Sequence, residues 1–401
     1  MPFMRKKGTI FLVLFVFLFS GCSSVGQNRY PTDDIYHFET DAQYSCFTAN
    51  HQRMMAESEE GYYFAFTINN LRNMFFIDKE TMETLPLCSK PNCIHYEESD
   101  IERRSLCQAY FTGTVGGPSL YYNNGKLLIP EYGDKASDYN ITELALDGSS
   151  RKTVLSMEDA TNGCDFLFHR GYAYAIINRY DEDMNSTMEL RRYSLSRPER
   201  EPKVLFTMNA ETGFMTNLLA YGQRLYFSAN VGGVEQLYTV SLSTLECKPL
   251  FEGITVEWPT LMICQNQLYL LMIHPVPGRE THEYESTLYS ANLDGSNLQK
   301  CWNSGTCEMT ADDCYIYEWP FGMYINRMEE PYFRIRDPEG NLLVEYDPRE
   351  DGINSYYTVY VMPGEHVFIF GNNRTIHYFS KSEIETGEIH PKLLIDCSQY
   401  R

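Results

Sequence analysis

Three cysteines and one histidine stand close together in the segment LCSKPNCIHYEESDIERRSLCQAY, at Cys88, Cys93, His95 and Cys107. Thiolates and an imidazole are ligands that zinc prefers, and four of them could complete a tetrahedral shell. The spacing is longer than that of a zinc knuckle, which favours a disulfide between two of the three cysteines over the metal. Reduced cysteines that serve only in packing are the third interpretation.

A second group of cysteines, Cys301, Cys307 and Cys314, lies in the segment CWNSGTCEMTADDC, which we predict to be a loop that holds another disulfide. Eleven cysteines follow Cys22, an odd number, so at least one of them is free or paired with another molecule. The remaining cysteines lie in or beside strand patterns and are predicted to be small core residues: Cys46, Cys164, Cys247, Cys264 and Cys397.

Tryptophan is scarce in this chain, and Trp258 follows Glu257 in an EWP motif just before a predicted hairpin. An aromatic plane beside a carboxylate is a candidate platform for a sugar or a peptide, with packing between sheets as the alternative. A second EWP motif, at 318–320, is predicted to fall inside a hairpin turn. No phosphate loop, metalloprotease motif, nucleophile elbow or sialidase-type motif is present in the sequence, and we assign no catalytic residue.

A repeat supplies the framework that must position these residues. Seven aromatic hairpins recur at separations of 42 to 64 residues, and each is followed by two further strands joined by a β-turn. Four antiparallel strands per period predict an all-β fold, a β-propeller of seven blades over residues 41–401, with six or eight blades as alternatives. The Cys/His segment is an insertion at 88–115, and we expect a strand at 41–49 to close the ring by pairing with the last blade.

The segments ALDGSSRKTVL and NLDGSNLQKCW give the chain a resemblance to the TolB-like and low-density-lipoprotein-receptor-like propellers of Gram-positive surface lipoproteins, many of unknown function. The resemblance implies an architecture and not an activity. Segments of the form Cys-Lys-Pro-x-Cys-x-His also occur in those lipoproteins, which suggests a shared structural device. Asp147 and Asp294, each followed by glycine, are predicted to be turn residues and not acid catalysts.

The N-terminus predicts export. Three basic residues precede an apolar run at 10–19, about half the length that spans a membrane, so residues 1–21 are predicted to be a signal peptide. The segment LFSGC resembles the bacterial lipobox, which implies a diacylglyceryl thioether on Cys22 and a location on the outer face of the cytoplasmic membrane. Residues 22–40 are polar and are predicted to be a flexible tether.

Charge restricts the partners. Removal of residues 1–21 takes away three positive charges and no negative ones, so the net charge moves from −21 to −24. Such an acidic chain is not expected to bind nucleic acid. We therefore expect a membrane-anchored, non-catalytic binding or scaffold module for a peptide, protein or glycan at the cell surface. The alternative is an exported carbohydrate-active enzyme that uses axial carboxylates.

Overall fold

The computed structural model describes residues 30–396, apart from positions 48–52, 69–70, 99, 112–118, 136, 159–160, 181–184, 257–258, 276–283, 306, 321–331, 354–356 and 372–373. The predicted signal peptide at 1–21, Cys22 and the first part of the predicted tether, at 23–29, lie outside the described residues. The regular secondary structure of the described residues is almost entirely β-strand, with one α-helix, α1, at Ile101–Ser105 and 3-10 turns at His95–Glu97, Pro348–Asp351 and Lys381–Thr386.

The strands form seven antiparallel sheets, and in each sheet four consecutive strands lie side by side in chain order. Blade one contains β1 Met55–Glu57, β2 Gly61–Ile68, β3 Leu71–Asp78 and β4 Thr84–Pro86. Blade two contains β6 Tyr121–Asn123, β7 Lys126–Tyr132, β8 Tyr139–Leu144 and β9 Arg151–Met157. Blade three contains β10 Thr161–His169, β11 Tyr172–Tyr180, β12 Ser186–Ser194 and β13 Lys203–Asn209. Blades four and five contain β14 Gly213–Tyr221, β15 Arg224–Val231, β16 Val234–Ser241 and β17 Cys247–Pro249, then β18 Thr260–Cys264, β19 Gln267–Pro275, β20 Tyr284–Ala291 and β21 Gln299–Ser304. Blades six and seven contain β22 Cys307–Ala311, β23 Ile316–Pro320, β24 Phe333–Arg336 and β25 Leu342–Tyr346, then β26 Tyr357–Val361, β27 His366–Gly371, β28 Thr375–Ser380 and β29 Lys392–Asp396. The prediction of a seven-bladed β-propeller is confirmed.

The second strand of blade five shows why the inner strands of a propeller do not alternate between apolar and polar residues. Leu268, Tyr269, Leu270 and Leu271 are at most 3% exposed, although successive side chains point to opposite faces of the sheet. Both faces of the blade are covered by neighbouring blades, so both must be apolar.

Blades one and seven meet through side chains. Phe64 and Phe75 of blade one lie in the same buried cluster as Phe368 and Ile376 of blade seven. Burial of each of these side chains stabilises the closed ring by about 1.5–3 kcal/mol relative to exposure. The ring therefore closes through packing between two complete blades.

The expected ring-closing strand pairs elsewhere. Residues 45–47 run beside the first strand of blade five, where Phe47 N donates to Leu261 O at 2.8 Å and Ile263 N donates to Ser45 O at 2.6 Å. For the described residues 41–47 the expected pairing with the last blade is wrong, and residues 48–49 lie outside the described residues. Each described blade supplies its own four strands, so this segment is not needed to complete a blade and lies in the central channel. We call residues 41–47 the axial segment.

The chain ahead of the axial segment, residues 30–40, lies on the face of the ring that carries the turns between first and second strands, here called the hairpin face. Asn124 N donates to Glu39 O at 2.6 Å, and Gln223 N donates to Asp34 Oδ1 at 2.9 Å. These contacts join the segment to the hairpin turns of blades two and four.

Arg170 at the hairpin turn of blade three holds the same segment. Its guanidinium donates to the carbonyl oxygens of Pro31 at 3.0 Å and Ile35 at 2.7 Å, and to Asp41 Oδ1 at 2.8 Å. The segment also lies close to the hairpin turn of blade four. Gly222 in that turn has a φ of +54°, and a Cβ there would lie 2.7 Å from the Cα of Asp34. The part of the predicted tether that is described is therefore docked on the ring.

The first hairpin of blade six differs from its prediction. The turn between β22 and β23 spans residues 312–315, where Asp312 Oδ1 accepts the N–H groups of Cys314 and Tyr315, both at 2.8 Å. The second EWP motif at 318–320 lies on β23 and is buried, so its prediction as a turn is wrong. The turn forms at this position without a glycine because the aspartate side chain accepts hydrogen bonds from the backbone of its own turn.

The insertion between blades one and two returns to the sheet of blade one. After α1 the chain forms β5 at Tyr110–Phe111, which pairs antiparallel with β3 and so gives this sheet a fifth strand. The predicted insertion limit at residue 115 lies outside the described residues.

Candidate metal centre and axial pocket

The four candidate ligands come from the two ends and the tip of the insertion. Cys88 comes two residues after β4, Cys93 and His95 lie at the tip, and Cys107 follows α1. Their ligand atoms all lie within 4.8 Å of one another, and Cys107 Sγ is 3.6 Å from His95 Nδ1. The structure brings all four predicted side chains together.

Local hydrogen bonds place the two ends of the insertion side by side. The Asp100 side chain accepts the N–H groups of Glu102 and Arg103 and so starts α1, which ends just before Cys107. Ser89 N donates to Gln108 Oε1 at 3.0 Å, beside the two end cysteines.

The tip turns back through two residues in the left-handed region. Asn92 has a φ of +61° and His95 a φ of +52°, a conformation for which Asn and His are enriched among residues with a side chain. These two positions reverse the chain on both sides of Cys93 and bring its sulfur and the imidazole toward the end cysteines.

The protonation of the four groups depends on burial and on backbone donors. Burial raises the pKa of Cys107 to about 12, and burial lowers the pKa of His95 below its ordinary value. Burial also acts to raise the pKa of Cys88, but hydrogen bonds from the backbone of Lys90 and Gln108, together with those from Cys107 and Cys93, lower that pKa overall. The centre thus holds a neutral imidazole, the form that binds metals, next to a thiol that backbone donors favour as thiolate.

Two members of the second cysteine group lie far apart. Cys307 begins β22 and Cys314 lies beyond its other end, so their Cα atoms are more than about 13 Å apart, whereas a disulfide needs less than about 7 Å. Cys307 packs with Cys46 and Cys264 in the core, with Cys301 of β21 against the same cluster. Every cysteine whose side chain the structure describes is unpaired.

A cavity of about 80 Å³ lies beside the channel axis and is here called the axial pocket. Thr260, Glu308 and Thr358 line it, and each is the first or second residue of the first strand in its blade. The axial pocket therefore lies at the face where connections enter the blades, opposite the hairpin face. Its other lining residues include Tyr44, Cys46, Phe47, Trp319 and Tyr360.

Glu308 gives the axial pocket its polar character. Trp319 Nε1 donates to Glu308 Oε2 at 3.0 Å across the β22–β23 ladder, where the two residues are partners. Burial raises the pKa of Glu308 to about 7, and the hydrogen bond from Trp319 opposes this shift. At neutral pH a large share of these carboxyl groups carries a proton and can donate as well as accept.

The predicted ligand residues Glu257 and Trp258 lie outside the described residues, while Thr260, two positions further on, lines the axial pocket. Sequence reasoning missed Glu308 and Trp319. The sequence signal that could have found them is the IYEWP run, whose apolar character predicts a buried strand. In the structure this strand pairs with the strand that carries Glu308.

The axial segment forms one wall of the pocket and is held deep in the channel. Arg53 is 2% exposed, and its guanidinium donates to Phe166 O at 2.7 Å and to Leu218 O, in blades three and four. The same guanidinium lies 5.5 Å from the ring centre of Tyr44 and 5.7 Å from that of Tyr121. A single buried cation thus ties the axial segment to three blades.

Comparison with known proteins supports the fold alone. No protein-family model and no curated protein sequence matches the chain. Among solved structures, the oligogalacturonate lyase from Vibrio parahaemolyticus aligns over 89% of this chain and 91% of its own, with 10% identity and a TM-score of 0.52. A prolyl endopeptidase aligns over 90% of this chain and 50% of its own, with 8% identity and a TM-score of 0.54. TolB from Acinetobacter baumannii aligns over 84% of this chain and 78% of its own, with 14% identity and a TM-score of 0.39.

Within the part of the chain that the structure describes, no helix has both the length and the apolar character needed to span a membrane.

Proposed function

We propose that this chain is a lipoprotein anchored through Cys22 to the outer face of the cytoplasmic membrane, and that its propeller binds a surface partner in the axial pocket without catalysing a reaction. The observation that carries the proposal is the opposition of two faces. The N-terminal segment 30–40 docks on the hairpin face, and the axial pocket is lined by residues at the starts of first strands, toward the other face.

The length of the remaining tether limits how far the ring can stand from the membrane. Residues 22–29 reach at most about 28 Å when extended. A lipid on Cys22 would therefore keep residue 30, on the hairpin face, within that distance of the membrane, which favours an orientation with the axial pocket away from the membrane. A pocket directed outward is accessible to a partner in the surrounding medium.

The lining of the axial pocket favours a partner with a flat apolar side and hydroxyl or amide groups, as in a glycan or a peptide. Trp319 and Tyr360 offer aromatic surface, while Thr260, Thr358 and Glu308 offer donors and acceptors. The acidic chain, at −21 for the whole sequence, disfavours polyanionic partners.

The enzyme alternative needs a second carboxyl group at a suitable distance from Glu308. Among the described residues that line the axial pocket, Glu308 supplies the one carboxyl group. A single protonated carboxyl suits binding, because it recognises hydroxyl and amide groups without a partner acid or base.

The anchor is tested in a bacterium that produces the full chain, by labelling with a radioactive fatty acid and by cell fractionation. We expect label and membrane association for the natural sequence and loss of both for Cys22→Ser. Equal association of the two proteins with the membrane would contradict the anchor.

Binding is tested with the detergent-solubilised full chain on glycan and peptide arrays. Trp319→Phe should weaken binding to any positive probe at least about tenfold, since a central aromatic contact is lost. Trp302→Phe, which alters a tryptophan on β21 away from the pocket, is the matched control and should bind normally. Turnover of a bound glycan that Glu308→Gln abolishes would replace the proposal with the enzyme alternative.

A further inference from the structure

We propose that Cys88, Cys93, His95 and Cys107 bind one Zn²⁺ ion as a structural clasp that fastens the insertion to the edge of blade one. The inference is independent of the anchor and of the axial pocket, because it rests on a different part of the molecule. What carries it is the convergence of four soft ligands from the two ends and the tip of one insertion.

The spacing of the ligand atoms fits a tetrahedral ion. Zn–S bonds of about 2.3 Å and Zn–N bonds of about 2.0–2.1 Å place neighbouring ligand atoms about 3.5–3.8 Å apart at tetrahedral angles. The distance from Cys107 Sγ to His95 Nδ1 is 3.6 Å, and all pairs lie within 4.8 Å. Movements of about 1 Å or less bring every ligand onto the ion.

The donor set selects zinc and a closed site. Three thiolates and one imidazole form a Cys₃His shell, which is a structural zinc set with no position left for water or substrate. Carboxylates are absent from the cluster, so hard cations such as Ca²⁺ and Mg²⁺ have no suitable ligands among its members.

The surroundings match the charge of such a site. Zn²⁺ with three thiolates and a neutral imidazole carries a net charge of about −1. The guanidinium of Arg104, 4% exposed, interacts electrostatically with Cys107. Backbone hydrogen bonds from Lys90 and Gln108 to the Cys88 sulfur supply the outer-shell support that thiolate ligands require.

Binding is proton-coupled. Each thiol that enters the shell transfers its proton to solvent, and the sulfur lone pair forms the bond to zinc, so no oxidant or reductant is needed. Because Cys88 follows β4 and Cys107 precedes β5, the ion joins the two strand ends directly and holds β5 in place beside β3.

The first experiment uses the full chain, purified in detergent without chelator, and measures zinc by mass spectrometry together with alkylation of cysteines in denaturant without reductant. We expect about one zinc per chain, and free, alkylatable Cys88, Cys93 and Cys107 once the zinc has been chelated. A disulfide that joins any two of these cysteines, or less than about 0.1 zinc per chain, would overturn the proposal.

The second experiment separates ligation from folding. His95→Ala should reduce the zinc content at least about fivefold, and His95→Cys, which restores a four-ligand shell, should recover it. Cys314→Ser changes an exposed cysteine outside the cluster and should retain full zinc content. Equal zinc in His95→Ala and in the natural chain would show that the ion binds elsewhere and would also overturn the proposal.

Discussion

The axial segment and the insertion are both additions to the ring of blades, but different forces hold them. In the axial segment Tyr44 is 6% exposed and Phe47 is 3% exposed, and backbone hydrogen bonds join the segment to blade five. In the insertion, Ile94 is 53% exposed and Leu106 is 68% exposed. The first region is ordered by burial, whereas the second buries little and needs another source of order.

This difference predicts different roles for the cysteines of the two regions. Cys46 of the axial segment lies against Thr310 and the core of blade six, where a thiol acts as a small apolar group. Cys88 and Cys93 of the insertion are only partly buried and gain less stability from apolar contacts, so the proposed metal ion would supply the order that burial does not.

The largest effect is expected from the buried cation of the channel. Arg53→Met should lower the free energy of unfolding by about 3–5 kcal/mol, because it removes the buried charge-assisted hydrogen bonds to the Phe166 and Leu218 carbonyl groups, of which Phe166 keeps the Tyr121 hydroxyl as a donor. Urea denaturation measures the change.

The matched control is Arg197→Met, at an exposed position on the rim, with an expected change within about 0.5 kcal/mol. If both variants unfold at the same urea concentration, burial of the axial segment does not depend on Arg53.

The second prediction concerns the contribution of Glu308, in the axial pocket, to the pH dependence of the free energy of unfolding. Its folded pKa of about 7 lies above the ordinary value of 4.5, so its contribution to stability is complete below pH 4.5 and is lost as the pH rises through about 7. The loss amounts to about 3 kcal/mol for a shift of this size. Glu308→Gln should remove this part of the pH dependence, as followed by urea denaturation between pH 4.5 and 8.

Glu388→Gln changes an exposed carboxyl and serves as the control, with a pH profile like that of the natural chain. A Glu308→Gln profile that runs parallel to the natural one would show that this carboxyl ionises normally.

A smaller effect is expected where the N-terminal segment meets the channel. Asp41 is 1% exposed and accepts two hydrogen bonds from Arg170, at 2.8 and 2.9 Å. Asp41→Asn removes the charge while Arg170 keeps its carbonyl partners, so we expect a loss of about 2 kcal/mol in urea denaturation.

Asp134→Asn, at an exposed position of blade two, is the control and should change stability by less than about 0.5 kcal/mol. A loss no larger in Asp41→Asn than in this control would mean that the buried ion pair contributes nothing to docking of the segment.

The smallest effect on the ring is expected from loss of the clasp. Because the insertion joins the blades through the two residues of β5, its release by a zinc chelator should change the free energy of unfolding of the ring by less than about 1 kcal/mol. Limited proteolysis should nevertheless cut the insertion after chelation. If the insertion resists protease both with and without chelator, its order does not depend on zinc.

The repeat made the fold predictable, because every blade repeats the same aromatic hairpin, and burial of both faces of a blade leaves long apolar runs in the sequence. The four ligand residues of the insertion were also found from their types alone. Their convergence was not predictable, because it depends on left-handed turns at Asn92 and His95 that no spacing rule encodes.

The axial pocket shows the limit of local patterns. Its carboxyl group and its tryptophan are 11 positions apart in the sequence and meet through strand pairing. The turn that makes them partners has aspartate in place of glycine, so the expected register was wrong at Glu318 and Trp319. The path of residues 41–47 depends on contacts with several blades, which are remote in the sequence.

Hydrogen exchange of the full chain, measured by mass spectrometry with and without a zinc chelator, tests the contrast between the two regions most directly. We expect the amides of residues 88–107 to exchange at least about 100-fold faster after chelation, while those of the axial segment stay protected. Unchanged exchange in the insertion, or equal acceleration in both regions, would contradict the account.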